Sequence, residues 1–585
     1  MADTADKATM AGKRGHAHDE NPVKSTTLPP MDEKDALAAA AAGGWEVDAF
    51  IEEMERELEA AGGLDTGYLQ IQFSDPRYFT WVIVAFASMG GLLSGLDQSL
   101  ISGANLSLPK ALHLDTHQNS LVNSGMPLGA VGGALMLSPC NEYLGRRWSI
   151  IISCILYTIG AGLEAGSINY GMIVAGRVIL GLGVGLEGGT VPVYVAETVE
   201  RRVRGNLVSL YQFNIALGEV LGYAIAAIFL HVRGNWRYIL GSSVVFSIIM
   251  FIGMLFLPES PRYLMHKGRV LDAYKVWKRI RGIATPEARE EFFVMKVSVL
   301  HEAQVVAESA VNKNMPWLDF FTVPRCRRAL IYANIMILLG QMTGVNAIMY
   351  YMSVLMSQIG FNDEKSTYMS LVGGGSLLIG TLPAIFYMER FGRRFWANAM
   401  LPIFFLGLVL IGISYQMSLT TNLPAAEGLY LTGLIIYMLG FGCYSCLTWV
   451  VPSEVYPTYL RSYGMTTSDG LMFLFSFIVT YNFSAMQTAM TRTGLTLGFY
   501  GGIAVLGWFY QLLFMPETKD KTLEEIDVLF QQPTGELVAE NIQNISRSLA
   551  NFFGGRWGKK ASSPVPPVSA HKKEEMEDEP EPEIV

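Results

Sequence analysis

The 585 residues are 51% hydrophobic and only 16% charged, with 43 Lys and Arg against 52 Asp and Glu, and their mean hydropathy is +0.30. A soluble chain of this size carries about a quarter charged residues, so a water-soluble enzyme is excluded. The net charge of −9 comes mainly from the two ends and says little about partners; no nucleic-acid partner is expected.

In chain order, the first ~75 residues are polar or weakly helical, and no cleavable signal peptide is expected. Residues 1–78 read as a cytoplasmic, largely disordered tail carrying the acidic runs "MDEKDALAAA" and "IEEMERELEA". From residue 79, runs of ~20 mostly apolar residues recur, the length that crosses ~30 Å of hydrocarbon. Hydropathy predicts twelve spans at roughly 79–104, 120–139, 147–166, 171–195, 205–230, 237–257, 328–352, 367–387, 395–416, 428–451, 462–484 and 495–515. The expected fold class is an all-α membrane protein of two six-helix halves, 79–257 and 328–515. A basic cytoplasmic linker with amphipathic helices, 258–327, joins them, and 516–585 form a second cytoplasmic tail. Cys140, Cys154, Cys326, Cys443 and Cys446 fall in spans or inner loops, so no disulfide framework is implied. Cys443 and Cys446 form a CxxC, but their apolar surroundings offer no His or second pair, and no metal is expected.

Basic residues set the orientation. "GRRWS" (145–149), "ERRVRG" (200–205), the linker, "ERFGRR" (389–394) and "YLRS" (459–462) all follow even-numbered spans. Loops after odd-numbered spans hold almost no Arg or Lys, so even loops and both termini are expected inside the cell. Two loop types also repeat. "NEYLGRRW" after span 2 matches "MERFGRRFW" after span 8, and "YVAETVERRVRG" after span 4 matches "WVVPSEVYPTYLRS" after span 10. A doubled six-span unit is the pattern of a secondary transporter with its substrate near midplane between the halves.

These motifs resemble the sugar porter family of the major facilitator superfamily over about 79–530, in the dialect of fungal members. They are "GRR" (145–147 and 392–394), "PESPRYL" (258–264), "QMTGVNAIMYY" (341–351), "PSEVYPTYLR" (452–461) and "PETKDKTLEEI" (516–526). The resemblance implies a carrier rather than an enzyme, without cofactor, acting as a monomer in the lipid bilayer, with a sugar or polyol and a proton as its partners. The plasma membrane is its expected place. Charges at the inner span ends are expected to form a cytoplasmic gate: Glu142, Arg146, Arg147, Glu197 and Arg204 in the first half, Glu389, Arg393, Arg394, Glu454 and Arg461 in the second. Salt bridges between the halves would hold that gate shut; the alternative is that the Arg residues only mark topology. The family usually has Asp where Glu142 and Glu389 stand.

Asp97 lies inside span 1, where a lone carboxylate is costly and is by default paired or functional. Counting ~1.5 Å per residue from the outer span ends puts Asp97 and Arg177 of span 4 at similar depth, so they can pair. Gly176, Gly181, Gly183 and Gly185 let span 4 pack closely on a neighbour. The resemblance implies the same pair, associated with proton-coupled members. A purely structural ion pair is the competing reading.

Gln212 and Glu219 lie seven apart on one face of span 5, and Gln341, Asn346 and Tyr350 lie in span 7. Amides suit polyhydroxyl ligands because each offers donor and acceptor, and Trp449 of span 10 offers an aromatic face. By resemblance Gln212, Gln341, Asn346 and Trp449 match sugar-contacting positions. The chain departs from the family at Gly340, Ser445, Cys446, Met472 and Phe473, and adds the acids Glu187, Glu219 and Asp469 within spans. The pocket is therefore expected to have lost two amides and gained three acids. The expected function is proton-coupled import of a monosaccharide or polyol by alternating access. The alternatives are an uncoupled facilitator or exporter of another hydroxylated metabolite, such as inositol or quinate, and a transporter-like sugar sensor signalling through its tails.

Overall fold

The computed structural model describes residues 44–63, 76–198, 204–309, 315–418, 421–457, 460–519, 526 and 529–553. At a few of these, Arg204 and Glu389 among them, only the backbone is described. Residues 1–43 of the expected N-terminal tail lie outside the described residues. The chain divides into two compact units, Met1–Gly67 with Pro261–Ser309, and Tyr68–Ser260 with Ala310–Val585.

The described residues of the larger unit form helices joined by turns and short loops. Eleven stretches, from Tyr78–Ala104 to Gly494–Phe514, are long and apolar enough to cross a membrane. Arg204–Ile228 is the fifth span and completes twelve. Arg146, Arg147, Arg393 and Arg394 mark one end of the bundle, the basic end. Spans 2 and 11, and spans 5 and 8, pack against each other across the two halves.

Most helices outrun their expected bounds, because hydropathy registers only the part that needs hydrocarbon. Span 2, expected at 120–139, is Thr116–Tyr143. It starts at a capping box: the Asp115 side chain accepts from the Gln118 amide, and the Gln118 side chain accepts from the Asp115 amide. Span 4, Tyr170–Thr198, packs through small residues against two neighbours. A Cβ on Gly181 or Gly185 would lie 2.2 or 2.0 Å from the Met126 or Ala130 carbonyl of span 2. A Cβ on Gly183 would lie 2.7 Å from the Ser153 carbonyl of span 3. The expected close packing is thus two-sided.

Span 7 was expected as one continuous helix over 328–352. It is instead Pro324–Gln341, Val345–Tyr350 and Met352–Ile359 in succession. Gly344 breaks it with φ +88°, and a Cβ there would lie 2.5 Å from the Tyr500 ring, so only glycine fits. Inside a membrane, backbone freed by such a break needs other partners. The Thr343 hydroxyl donates to the Gly340 carbonyl at 2.6 Å and Tyr437 donates to the Thr343 carbonyl at 3.1 Å. Span 10 is similarly split into Leu423–Ser445 and Leu447–Val455.

The smaller unit joins helix Gly44–Ala60 to linker helices Val270–Arg281 and Pro286–Ser309. Val47, Phe50, Ile51, Met54 and Leu58 recur at helical spacing and are buried. Phe50 stacks on Phe292 at 5.9 Å, and the Lys296 ammonium sits 3.9 Å over the Phe50 ring. Lys278 and Tyr274 donate to Glu55 at 2.6 and 2.8 Å. Burial raises the Glu55 carboxyl, but these two bonds outweigh it and hold it below its ordinary value. The tail, expected to be largely disordered, therefore contributes a packed helix. Phe50→Ala is expected to cost about 3 kcal/mol and to open this helix roughly 100-fold more often. Tryptic cleavage at the exposed Arg56 reads this directly; an unchanged cleavage rate would contradict it.

Beyond span 12, helix Thr534–Phe553 is anchored by Asn541, whose amide donates to the Leu513 and Met515 carbonyls at 2.7 and 3.3 Å.

Candidate functional site

The Asp97 and Arg177 side chains meet inside the half of the membrane opposite the basic end. Both are buried, and Arg177 Nη1 donates to Asp97 Oδ1 at 2.5 Å. Arg177 Nε donates to the Val122 carbonyl of span 2 at 3.1 Å. Sequence reasoning missed a third member. Glu164, near the end of span 3, is fully buried and places Oε1 3.6 Å from Arg177 Nη1. Tyr350 of span 7 lies within electrostatic reach of Asp97 and Arg177 and donates to Met126 Sδ at 3.8 Å.

Below this cluster a cavity opens between the halves, lined by residues of both. Gln212, Glu219, Gln341, Asn346, Tyr350 and Trp449 all line it. The Trp449 indole donates to Gln212 Oε1 across the halves at 2.9 Å, and its ring meets Tyr211 edge-on at 5.3 Å. Asn346 donates to Gln341 Oε1, which fixes the two amides relative to each other. Glu219 is buried, and its Oε2 has no hydrogen-bond partner among the described residues. Of the five family departures, Ser445, Met472 and Phe473 also line the cavity, and Gly340 and Cys446 do not.

Gln98 and Ser94 of span 1 and Ser476 of span 11 were not singled out from sequence, yet they line the cavity too. The signal was present for Gln98, an amide directly after the buried acid.

Contacts between halves bracket the cavity. Toward the end opposite the basic one, Ser102 faces Ser353 at 3.4 Å and Tyr223 donates to the Met349 carbonyl at 3.2 Å. Toward the basic end, the Trp449–Gln212 bond closes one side and the Asp469 carboxylate lies against Gly188.

Two of the three added acids are not pocket residues. Glu187 points at Gly90 of span 1, and Asp469 points at Gly188 of span 4. Neither lines the cavity. The reading of three added pocket acids is corrected to one, Glu219. The physical reason is rotation: residues on one span differ in facing by ~100° per position, and only packing decides which neighbour each meets.

At the basic end, the two halves build the same network twice. In the first half Arg146 Nη2 donates to Glu197 Oε1 at 2.8 Å, Glu259 accepts from the Arg146 and Arg147 amides at 3.0 and 3.1 Å, and the Ser260 hydroxyl donates to Glu197 at 2.5 Å. In the second, Arg393 Nη2 donates to Glu454 Oε1 at 2.7 Å, Glu517 accepts from the Arg393 and Arg394 amides at 3.1 and 3.3 Å, and Thr518 donates to Glu454 at 2.8 Å. The "PES" and "PET" motifs thus supply matching caps. Burial raises the Glu259 carboxyl above its ordinary range, opposed by hydrogen bonds from the Ser260 and Arg147 amides.

Among the described residues, the Arg146–Glu197 and Arg393–Glu454 pairs run within each half rather than between the halves. Spans 3 and 4 are neighbours in one half, so the nearest acid to Arg146 is the one ending span 4. Glu142 is exposed at the end of span 2, and the side chains of Arg204 and Glu389 lie outside the described residues. Arg461 opens span 11. Arg393→Ala removes one partner of a mostly buried pair and is expected to cost about 3 kcal/mol, read as a lowered thermal midpoint of the purified protein. An unchanged midpoint would favour topology marking alone.

Among the described residues, no three His, Cys, Asp or Glu side chains converge as a metal site.

Two six-span halves around a midplane cavity lined by amides, hydroxyls and aromatic faces define a membrane carrier for a polyhydroxylated solute. A family model for "Sugar (and other) transporter" matches residues 83–530, and the chain belongs to this sugar porter family of the major facilitator superfamily. It is 73% identical over 527 residues to "Myo-inositol transporter FST1" of Gibberella moniliformis, covering 90% of this chain and 92% of that protein. It is 29% identical over 547 residues to the human "Proton myo-inositol cotransporter", covering 79% and 83% respectively. Its backbone superposes on the proton:xylose symporter XylE of E. coli, bound to 6-bromo-6-deoxy-D-glucose, with a TM-score of 0.67 at 24% identity. That match covers 77% of this chain and 99% of XylE and shows the shared fold.

Proposed function

We propose that the protein imports myo-inositol together with a proton by alternating access. The observation that carries this reading is the Glu219 carboxyl oxygen, without a partner among the described residues, on the wall of a cavity that also presents amides, hydroxyls and aromatic rings. An ionised carboxylate accepts hydrogen bonds and donates none. It favours a neutral ligand with hydroxyl donors on adjacent carbons, as a cyclitol has on every carbon, and disfavours an anion such as quinate. The 73% identity to a myo-inositol transporter supports the same substrate.

Coupling rests on Asp97 and Arg177. Protonation of Asp97 from the outside weakens the ion pair and frees the helices it ties, so proton occupancy and helix position change together. The repeated networks at the basic end stiffen each half, and the halves rock as bodies about the cavity. Basic residues in the even loops support placing that end and both termini in the cytoplasm. The working form is a monomer in the plasma membrane.

Uptake of a labelled panel in transporter-null cells tests the reading. Myo-inositol uptake should exceed that of glucose, xylose and quinate, and a protonophore should abolish its accumulation. Preference for a hexose would overturn the substrate assignment.

A further inference from the structure

Arg177 faces two carboxylates from two different helices. Asp97 of span 1 is bonded at 2.5 Å. Glu164 of span 3 waits at 3.6 Å from the same Nη1, too far for a hydrogen bond but an ion-pair neighbour. Arg177 and both acids are at most 2% exposed. Among the described residues, Arg177 Nη2, Asp97 Oδ2 and Glu164 Oε1 have no hydrogen-bond partner. The cluster therefore holds spare hydrogen-bonding capacity on both sides of the cation.

Among the described residues, the other polar groups around it do not supply a countercharge. Tyr157 of span 3 donates its hydroxyl to the Leu93 carbonyl at 3.1 Å. Tyr350 donates to Met126. Arg237, on the first helix of span 6, donates to the Ala165 carbonyl at 3.0 Å, beside the Glu164 backbone rather than its carboxylate.

Release of Asp97 by a proton poses a difficulty in this setting. It leaves a guanidinium deep in a low-dielectric interior, where an uncompensated charge is strongly disfavoured. Glu164 removes it. We propose that Glu164 is a positioning residue for proton coupling: when Asp97 takes a proton, Arg177 changes carboxylate partner from Asp97 to Glu164. One proton enters from the aqueous side opposite the basic end and binds Asp97. Arg177 stays protonated throughout, and Glu164 stays ionised and receives the guanidinium. On release of the proton toward the basic end, Arg177 returns to Asp97. The two resting places lie on spans 1 and 3, so the exchange shifts span 4 between them. This inference rests on the symport reading above.

The test uses purified full-length protein in proteoliposomes and in detergent. In Glu164→Gln, protonation of Asp97 strands Arg177 without a countercharge. The pH of half-maximal myo-inositol uptake should therefore fall by about one unit or more, a tenfold rise in the protons required. Substrate KM at saturating proton should hold, because Glu164 does not line the cavity. Glu164→Asp keeps the charge one methylene further back and should shift the profile the same way by less, which serves if Glu164→Gln inserts poorly. Melting supplies an independent readout. Asp97→Asn alone keeps Arg177 paired with Glu164, whereas Asp97→Asn with Glu164→Gln leaves no partner, so the double variant should lose more stability than the sum of the singles. A Glu164→Gln profile that superimposes on wild type, or additive melting shifts, would overturn the partner exchange. Wild-type uptake that ignores a protonophore would instead overturn symport, and the melting cycle would still decide the role of Glu164.

Discussion

Asp97→Asn is expected to abolish concentrative uptake while leaving downhill exchange of substrate. Asn has the shape of the protonated acid and cannot ionise, so the variant is held in the proton-loaded arrangement. Its amide still hydrogen-bonds but no longer attracts Arg177 as an ion, and the nearby Glu164 at 3.6 Å keeps the guanidinium compensated. The protein should thus fold, insert and bind substrate. With a threefold inward proton gradient or steeper, wild type should accumulate myo-inositol above the external level, and the variant should stop at equality. Exchange of internal for external substrate should continue, because it needs the halves to rock but needs no net proton movement. Counterflow and net accumulation on the same proteoliposomes separate the two. Accumulation by Asp97→Asn at the wild-type level, still sensitive to a protonophore, would remove Asp97 from the coupling mechanism.

Glu219→Gln should change what the carrier selects rather than what drives it. Glu219 is buried at the cavity wall, sharing a face of span 5 with Gln212. A substrate hydroxyl pair bonded to an ionised carboxylate makes charge-assisted bonds, roughly twice as strong as neutral ones. Replacing the carboxylate by an amide keeps one acceptor and adds a donor. The expected loss is about 1.5–3 kcal/mol, which is roughly tenfold or more in apparent affinity for myo-inositol. Quinate, no longer repelled by a fixed negative charge, should gain relative to myo-inositol, so the ranking across a competitor panel changes. The pH profile should move less than it does in Glu164→Gln. Unchanged affinities combined with uncoupling from protons would make Glu219 a proton carrier and reverse the division of labour with Asp97.

Much of this was legible in sequence where a physical rule maps residue type onto position. The spans follow from apolar length, and the doubled loops expose the two halves. Asp97 and Arg177 pair because helical rise converts residue number into depth, and depth is the coordinate that matters for an acid and a base on antiparallel spans. The six expected substrate residues converge on one cavity because the motifs carrying them recur at fixed places in this fold.

What escaped was set by rotation and by contacts between distant segments. Glu164 stands at the end of its span, where a carboxylate reads as interfacial. It is buried because the helix Asn235–Gly241 packs across that end of span 3, a contact invisible from either segment alone. Glu187 and Asp469 had the right depth for the pocket but the wrong facing. Arg146 and Glu197 could have reached across the halves or within one, and charge pattern alone does not separate these. The helix Gly44–Ala60 shows a clear apolar stripe at Val47, Phe50, Ile51, Met54 and Leu58, but the surface it covers, centred on Phe292, lies more than two hundred residues away in the linker. The break in span 7 had a signal in Gly344, though glycines are common in membrane spans and only the Tyr500 ring against it shows why this one is required.

The most direct measurement is uptake of radiolabelled myo-inositol by proteoliposomes of the purified wild-type protein with an imposed pH gradient, acidic outside, and no other ion gradient. The expected result is accumulation above the external concentration that collapses on adding a protonophore, with no comparable accumulation of glucose. Equal uptake with and without the pH gradient, or accumulation of glucose in place of myo-inositol, would contradict proton-coupled myo-inositol transport.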